Sequence, residues 1–432
     1  MLFVNIFFLL SFISTILFAD IQLIKKENND SNTTLLVIGG IHGDEPGGYF
    51  AASILASHYK INSKNLWIVP NLNQDSIQND NRGINGDMNR KFAAIAPSDK
   101  DKPIVDEIKK IILQDKVSLV LNLHDGNGFY RKTNKGHIFN PNAWGQTCVI
   151  DQCILKEDQP FGNLDKIATD IKEKINKHLL EEHHIFDVKN TKTKFEDEAM
   201  QLSLTYFAVT HNKPAFAIES SKHLPSLAQK VFYHLQAIEE FMNIMGISYI
   251  RKFDLNSEAI DKIINNYGVL TINNNFSLNL SNIKKTLSFV PIKSENNTFT
   301  FSHPLGSIVK NGSDFVVYIG NKKITALKTK SFKVDMECVG NFEAEIDGKL
   351  LSLNKTSDII VNDDVKIMRN GDYRVNLIGF TSKGLIDEAG ISVKLADFDK
   401  KFAVDEDGLV YRVEFYRNDE FCSMSKIHFK QD

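Results

Sequence analysis

The chain has 432 residues, 42% of them hydrophobic and 24% charged, with a formal net charge of -3 at pH 7. This is an ordinary globular balance, with material for two or three domains. A nearly neutral chain without basic runs interleaved with aromatics supplies no field to gather nucleic acid, so nucleic-acid partners are not expected.

Residues 1–19 form an apolar run that ends at Ala19, just before Asp20. It reads as an export signal cleaved after Ala19. Because no Lys or Arg precedes the run, and Leu17 stands where a small residue is usual, a retained N-terminal anchor is the alternative. Either way the remainder is expected outside the cytoplasm, in the periplasm. No second apolar stretch is long enough to span a bilayer.

From residue 32 to about 246, short apolar runs alternate with amphipathic stretches. The pattern predicts a strand over 34–38, a helix over 45–58, a strand over 66–69 and a polar loop over 71–90. A helix over 104–113, a strand over 117–123 and helices over 164–183 and 198–209 follow. A strand over 215–218 and a helix over 225–245 complete the series. Such alternation predicts an α/β fold, a mostly parallel sheet between helices. After residue 250 a helix over 257–266 leads into alternating segments with an Asn311-Gly312 turn. Near Cys338 a second series of short strands fits a small sandwich. The expected organisation is a signal peptide over 1–19, a catalytic domain over 20–250, a β-rich domain over 251–337 and a β-sandwich-like domain over 338–432. Cys148 and Cys153 are close enough in sequence for a short staple in an oxidising compartment. For Cys338 and Cys422, pairing and two buried free thiols both remain open.

The segment Gly39-Gly40-Ile41-His42-Gly43-Asp44-Glu45-Pro46 sets a His and a Glu three apart where a strand gives way to a helix. Glycines allow the sharp turn and Pro46 suits the first helical position. The side chains of His42 and Glu45 then converge at the sheet's carboxyl edge. His-x-x-Glu alone is weak, and His178-Leu179-Leu180-Glu181 repeats it; that copy, with His183-His184, reads as a solvated helix end. His124 is the decisive addition, since it too ends an apolar strand. Two His and one carboxylate leave an open position, the pattern of a catalytic zinc site. Zinc activates water at neutral pH and polarises a carbonyl, and Glu219, at the end of the strand over 215–218, fits a partly desolvated general base. In the loop, Arg90 suits a bidentate carboxylate contact with Asn89 beside it, and Arg82 suits a developing oxyanion.

His42-x-x-Glu45, Asn89-Arg90, His124 and Glu219, in that order, resemble the zinc carboxypeptidase family related to carboxypeptidase A, over about residues 32–246. The resemblance implies an eight-stranded mixed sheet between helices and one zinc ion held by His42, Glu45 and His124. It also implies Arg82 on the oxyanion, Asn89 and Arg90 on the terminal carboxylate, and Glu219 as base. The whole arrangement is similar to the DL-carboxypeptidases that trim peptidoglycan in helical epsilonproteobacteria. That similarity implies removal of meso-diaminopimelate from muramyl tripeptide, an influence on cell shape, and contacts of Trp144 and Thr205 with the distal end of the diaminopimelate side chain. Some members of that group carry Gln where this chain has His42. The His-to-His interval is shorter than in pancreatic-type enzymes, and Tyr206 is the nearest counterpart of their substrate-covering tyrosine. The β-rich modules are expected to be non-catalytic, with cell-wall proteins as candidate partners. A zinc deacylase of the aspartoacylase kind shares the same ligands and Asn-Arg pair, and a zinc-dependent wall-peptide binding module without chemistry is the rival of another class.

Overall fold

The computed structural model describes residues 21–28, 31–156, 159–335, 337–338, 341–354, 356–382 and 384–430; the expected leader over 1–19 lies outside them. Seven strands form one sheet: β1 (Ile24–Lys26), β2 (Thr34–Ile38), β3 (Asn65–Val69), β4 (Val117–Gly126), β5 (Thr147–Ile150), β6 (Asp187–Asn190) and β7 (Ala215–Ser221). Their order is β1-β3-β2-β4-β7-β5-β6. The central four strands are parallel. β1 is antiparallel to β3 and β5 to β7, so the sheet is mixed. All residues of β2 and β3 are buried, as expected of apolar runs covered on both faces. The sheet has seven strands among the described residues where the resemblance implied eight, because the interval between β4 and β7 contributes only β5 and β6 to it.

Five helices cover this sheet: α1 (Pro46–His58), α2 (Lys102–Ile112), α3 (Leu164–Ile175), α4 (Leu204–Thr210) and α5 (Leu227–Met245). α1 and α3 pack against α5 on one face. On the other, α4 lies against β4 and β7, and Lys109 of α2 sits over the rings of Phe92 and Phe207. The helix expected over 164–183 stops at Ile175. Asn176 exchanges two hydrogen bonds with the main chain of Phe186, at 2.8 and 2.9 Å, and turns the chain away. The helix expected over 198–209 is split at Ser203, whose backbone is extended (ψ 162°) and whose hydroxyl accepts from the Tyr206 N–H at 3.2 Å to cap α4. β5 and β6 were not foreseen. β5 holds Cys148 in the core while Cys153 is exposed, and both thiols are free, so the expected staple does not form. Cys338 and Cys422 are joined in a disulfide.

Beyond α5, helix α6 (Ser257–Ile264) packs on α5 and leads into a three-stranded and a four-stranded sheet. The foreseen turn joins Gly306–Asn311 to Asp314–Ile319, with Asn311 opposite Asp314. This region shares its apolar core with the large sheet: Ile260, Leu270, Phe276, Val317 and Leu327 continue the cluster that begins at Leu35. The C-terminal region has two four-stranded sheets around a second core that includes Phe342, Val375, Val413 and Ile427. No described helix is long and apolar enough to cross a membrane.

Candidate active site

Because the central strands are parallel, their carboxyl ends and following turns gather at one edge of the sheet. β2 ends four residues before His42, β4 carries His124 and β7 carries Glu219, with Glu219 opposite His124 in register. The β2–α1 turn is tight. A Cβ on Gly43 would lie 2.0 Å from the carbonyl oxygen of Ser76, so only glycine fits there. Pro46 opens α1. The next N–H, of Gly47, is one of the donors that a helix start leaves without an intrahelical partner; it donates to Asp125 Oδ2 at 2.8 Å. Glu45 is thereby left free to face the two histidines.

His42, Glu45 and His124 are all buried, with candidate ligand atoms within 4.8 Å of one another. His42 Nδ1 is 3.0 Å from Glu45 Oε1 and His124 Nδ1 is 2.8 Å from Glu45 Oε2. Both Nδ1 atoms therefore point inward, toward one carboxylate. Each outer Nε2 meets a second side chain, Asp87 at 2.7 Å for His42 and Asn122 at 2.7 Å for His124. This is the arrangement metal-bound histidines use, one nitrogen for the ion and the other oriented by a polar partner. The donor set thus fits a divalent metal with room for a further ligand. Burial opposes ionisation of Glu45, but His42 and His124 hold its carboxyl well below the usual range. Burial lowers His124, which keeps it neutral as a ligand requires. For His42 burial is outweighed by Glu45 and Asp87, which raise it to about 9.

A cavity of about 410 Å³ opens over these residues and is lined by Arg82, Asn89, Arg90, Trp144, Thr205 and Glu219 among others. All nine residues singled out in the sequence therefore meet in one place. The Glu219 side chain has no hydrogen-bond partner among the described residues; burial and the nearby Glu45 carboxylate push its carboxyl well above the ordinary value. Arg82 donates to Glu45 Oε1 at 2.9 Å and to Asp87 Oδ2 at 3.1 Å. Asn89 accepts from the Leu204 N–H at 2.9 Å, tying the loop to the start of α4. Trp144 is covered by the Lys189 ammonium, 4.3 Å from its ring centre. Tyr206 does not line the cavity.

Comparison with family models matches residues 1–265 to "Carboxypeptidase controlling helical cell shape catalytic" and residues 336–430 to "C-terminal domain of metallo-carboxypeptidase". The chain belongs to this carboxypeptidase family. Comparison with curated protein sequences gives no match. Among solved structures, the apo form of the cell shape determinant protein Csd4 from Helicobacter pylori is 34% identical, with a TM-score of 0.88 over 95% of this chain and 100% of that one. The mDAP-bound form of Csd4, described as a D,L-carboxypeptidase, is 35% identical, with a TM-score of 0.89 over 94% and 100%. Its tripeptide-bound form is 34% identical, with a TM-score of 0.88 over 95% and 100%.

Sequence reasoning assigned no role to several residues of this metallocarboxypeptidase site. Asp87 orients His42 and Arg82; its only local signal is that it caps the short turn Met88–Arg90. Asn122 lies two residues before His124, the strand spacing that puts both side chains on one face. Asp125 accepts from Gly47 N–H, from Ser220 Oγ at 2.6 Å and from His234 Nε2 at 3.2 Å, partners from three distant segments. Lys222 lines the cavity. The second His-x-x-Glu is solvated as expected, His178, Glu181 and His183 being exposed, but it is not a helix end and His184 is not solvated. It lies beyond α3, and His184 is fully buried with its ring stacked on Phe129.

Proposed function

We propose that this carboxypeptidase hydrolyses the C-terminal peptide bond of peptidoglycan stem peptides, releasing meso-diaminopimelate from muramyl tripeptide and leaving dipeptide, and thereby influences cell shape. The observation that carries the reading is one cavity holding a His-Glu-His donor set, an unpartnered carboxylate and an Asn-Arg pair. Csd4, similar along its whole length, has been crystallised with mDAP and with tripeptide.

In this mechanism Arg90 and Asn89 bind the terminal carboxylate and set which bond lies over the donor set. His42, Glu45 and His124 would hold one zinc ion, which would supply Lewis acidity and activation of water. Arg82 stabilises the negative charge that grows on the carbonyl oxygen. Glu219 takes the proton of the attacking water and returns it to the leaving amine. Its raised pKa makes it a stronger base than an ordinary glutamate, which suits the first transfer. Trp144 and Thr205 line the wall that receives the distal end of the diaminopimelate side chain.

The protein acts in the periplasm in this reading, which the apolar leader and the Cys338–Cys422 disulfide support. The C-terminal β domains are non-catalytic and serve cell-wall proteins or the sacculus. The deciding experiment incubates zinc-loaded mature protein with purified muramyl tripeptide and follows products by mass spectrometry, with a chelator control. Chelator-sensitive release of diaminopimelate is expected. Absence of release with metal bound, together with hydrolysis of an N-acyl amino acid, would favour the deacylase reading instead.

A further inference from the structure

Away from the cavity, a second group of donors converges. Glu181, His183 and His184 bring candidate ligand atoms within 4.8 Å of one another, and none of the three lines the cavity over His42, Glu45 and His124. They lie in and just before the short turn Glu182–His184, between α3 and β6. The main chain of that turn is held from outside. Arg131 donates to His183 O at 2.6 Å and to Ile185 O at 3.2 Å, and Gln146 donates to His184 O at 3.0 Å. The points from which the side chains project are therefore set before any ligand arrives.

His184 is the informative member. It is fully buried and stacked on Phe129, with ring centres 5.8 Å apart. Its Nδ1 is 3.0 Å from the Tyr233 hydroxyl of α5, whereas its buried Nε2 has no hydrogen-bond partner among the described residues. A buried ring nitrogen without a partner is uncommon and needs a reason. With the proton on Nδ1, the ring donates to the Tyr233 oxygen and Nε2 offers a bare lone pair. That is the state in which a histidine binds a metal, its second nitrogen oriented by a polar neighbour. The outer members are exposed and already drawn together: His183 Nδ1 is 3.3 Å from Glu181 Oε2, and the His183 ring centre is 4.3 Å from that of His184. Ligands of a tetrahedral ion with bonds of about 2.1 Å stand about 3.4 Å apart, so a small swing of the two exposed side chains closes the set.

We propose that Glu181, His183 and His184 form a second, structural site for a borderline divalent transition-metal ion such as zinc, separate from the catalytic donor set and completed by water. Two imidazoles and one carboxylate favour such ions over magnesium or calcium, which prefer all-oxygen shells. The ion joins the exposed turn to His184, and through that ring to Phe129, two residues past the cavity-lining Asn127. Its effect falls on the stability of this flank and not on turnover, so the proposal does not rest on the carboxypeptidase reading.

The test strips the full chain with a chelator and equilibrates it with zinc alone, counting bound metal by elemental analysis and measuring affinity by calorimetry. Wild type is expected to hold one zinc more per chain than His183→Ala, in which only an exposed side chain is lost, and Glu181→Gln should act in the same direction. Tyr233→Phe keeps all three ligands and removes the oxygen that orients His184. It should weaken the additional site by about 10–100-fold and leave the other unchanged, with circular dichroism melts confirming that each variant is folded. Excess zinc should raise the melting temperature of wild type more than that of His183→Ala. Equal zinc content in wild type and His183→Ala overturns the proposal. So does an additional zinc whose affinity Tyr233→Phe leaves unchanged, or that His178→Ala removes equally, either being the mark of an adventitious ion only. If wild type holds a single zinc, its loss in His183→Ala upholds this site and leaves the catalytic set empty, whereas its retention sinks this site and keeps the catalytic one.

Discussion

Glu219 ends an apolar strand in a cavity that already holds the carboxylates of Glu45 and Asp125, so it holds its proton more tightly than an ordinary glutamate. If it is the base, Glu219→Gln should lower kcat by about 10²–10⁴-fold, the usual worth of a positioned base, while metal content and peptide affinity persist. The acid limb of the wild-type pH profile should then lie above the normal glutamate range and vanish in the variant; a profile unchanged by the substitution would assign the limb elsewhere. Asp151 is a separate case, buried beneath the cavity wall with its carboxylate accepting from the hydroxyls of Thr193 and Thr205. Burial raises its pKa from 3.8 to about 6. A carboxyl raised on folding binds its proton more strongly in the native state, so its contribution is complete below about pH 4 and is lost as pH rises through 6. The shift corresponds to about 3 kcal/mol at most. Asp151→Asn should therefore flatten the fall in denaturation midpoint between pH 4 and 7, and an unchanged pH dependence would show that Asp151 is not its source.

At the scale of elements, the β2–α1 turn decides whether the donor set exists. It places His42 and Glu45 only because Gly43 lets the chain run against the main chain of Ser76. Gly43→Ala must push the turn away from the short helix Gln74–Gln78 and move His42 with it. The expected cost is about 1–3 kcal/mol of stability, the range for an overpacked methyl, with a loss of metal occupancy measured by elemental analysis. Full occupancy in a folded variant would mean that the turn absorbs the methyl elsewhere. Ser203 has the comparable task on the other flank. By ending one turn and capping α4, it sets Thr205 in the cavity wall and offers the Leu204 N–H to Asn89.

Across the whole molecule, the middle region is built into the catalytic unit. Gly320 lies against the rings of Tyr49 and Phe50 of α1, and Ile260 and Ile264 of α6 continue the shared core. Gln78 donates to Ser307 at 2.8 Å and Asn321 to Asp80 at 3.0 Å, which braces the loop that carries Arg82 and Asn89. A chain cut after Gly246 would expose this apolar face and should be recovered insoluble or inactive. A chain cut after Asp335 keeps the brace and should fold with kcat within a few-fold of the full chain. It should melt lower, having lost the Arg417–Asp335 ion pair and the Phe332–Tyr416 contact. Circular dichroism melts and tripeptide assays on both truncations check this; a soluble, fully active protein ending at Gly246 would refute the bracing role.

The sequence by itself determined the central strands, the helices on them, and the nine residues that meet in the cavity. Most of these rest on a local cause: an apolar run of strand length, a glycine turn before a proline, a histidine or glutamate at a strand's end; Trp144 and Thr205 came from the family resemblance alone. Helix limits were less legible, because Asn176 and Ser203 stop helices through bonds to Phe186 and Tyr206 that periodicity does not register. β5 and β6 escaped because they are short, and β6 is half-buried throughout. Only the tertiary structure decided which groups orient the donors. Asp87, Asn122 and Asp125 act through partners as far as 109 residues away in the chain, as His234 is from Asp125. It also decided that Cys338, not Cys148, is bonded, and that Lys222 faces the cavity. Proximity in space between distant segments is set by how strands order in the sheet, and that order is not written in any local pattern.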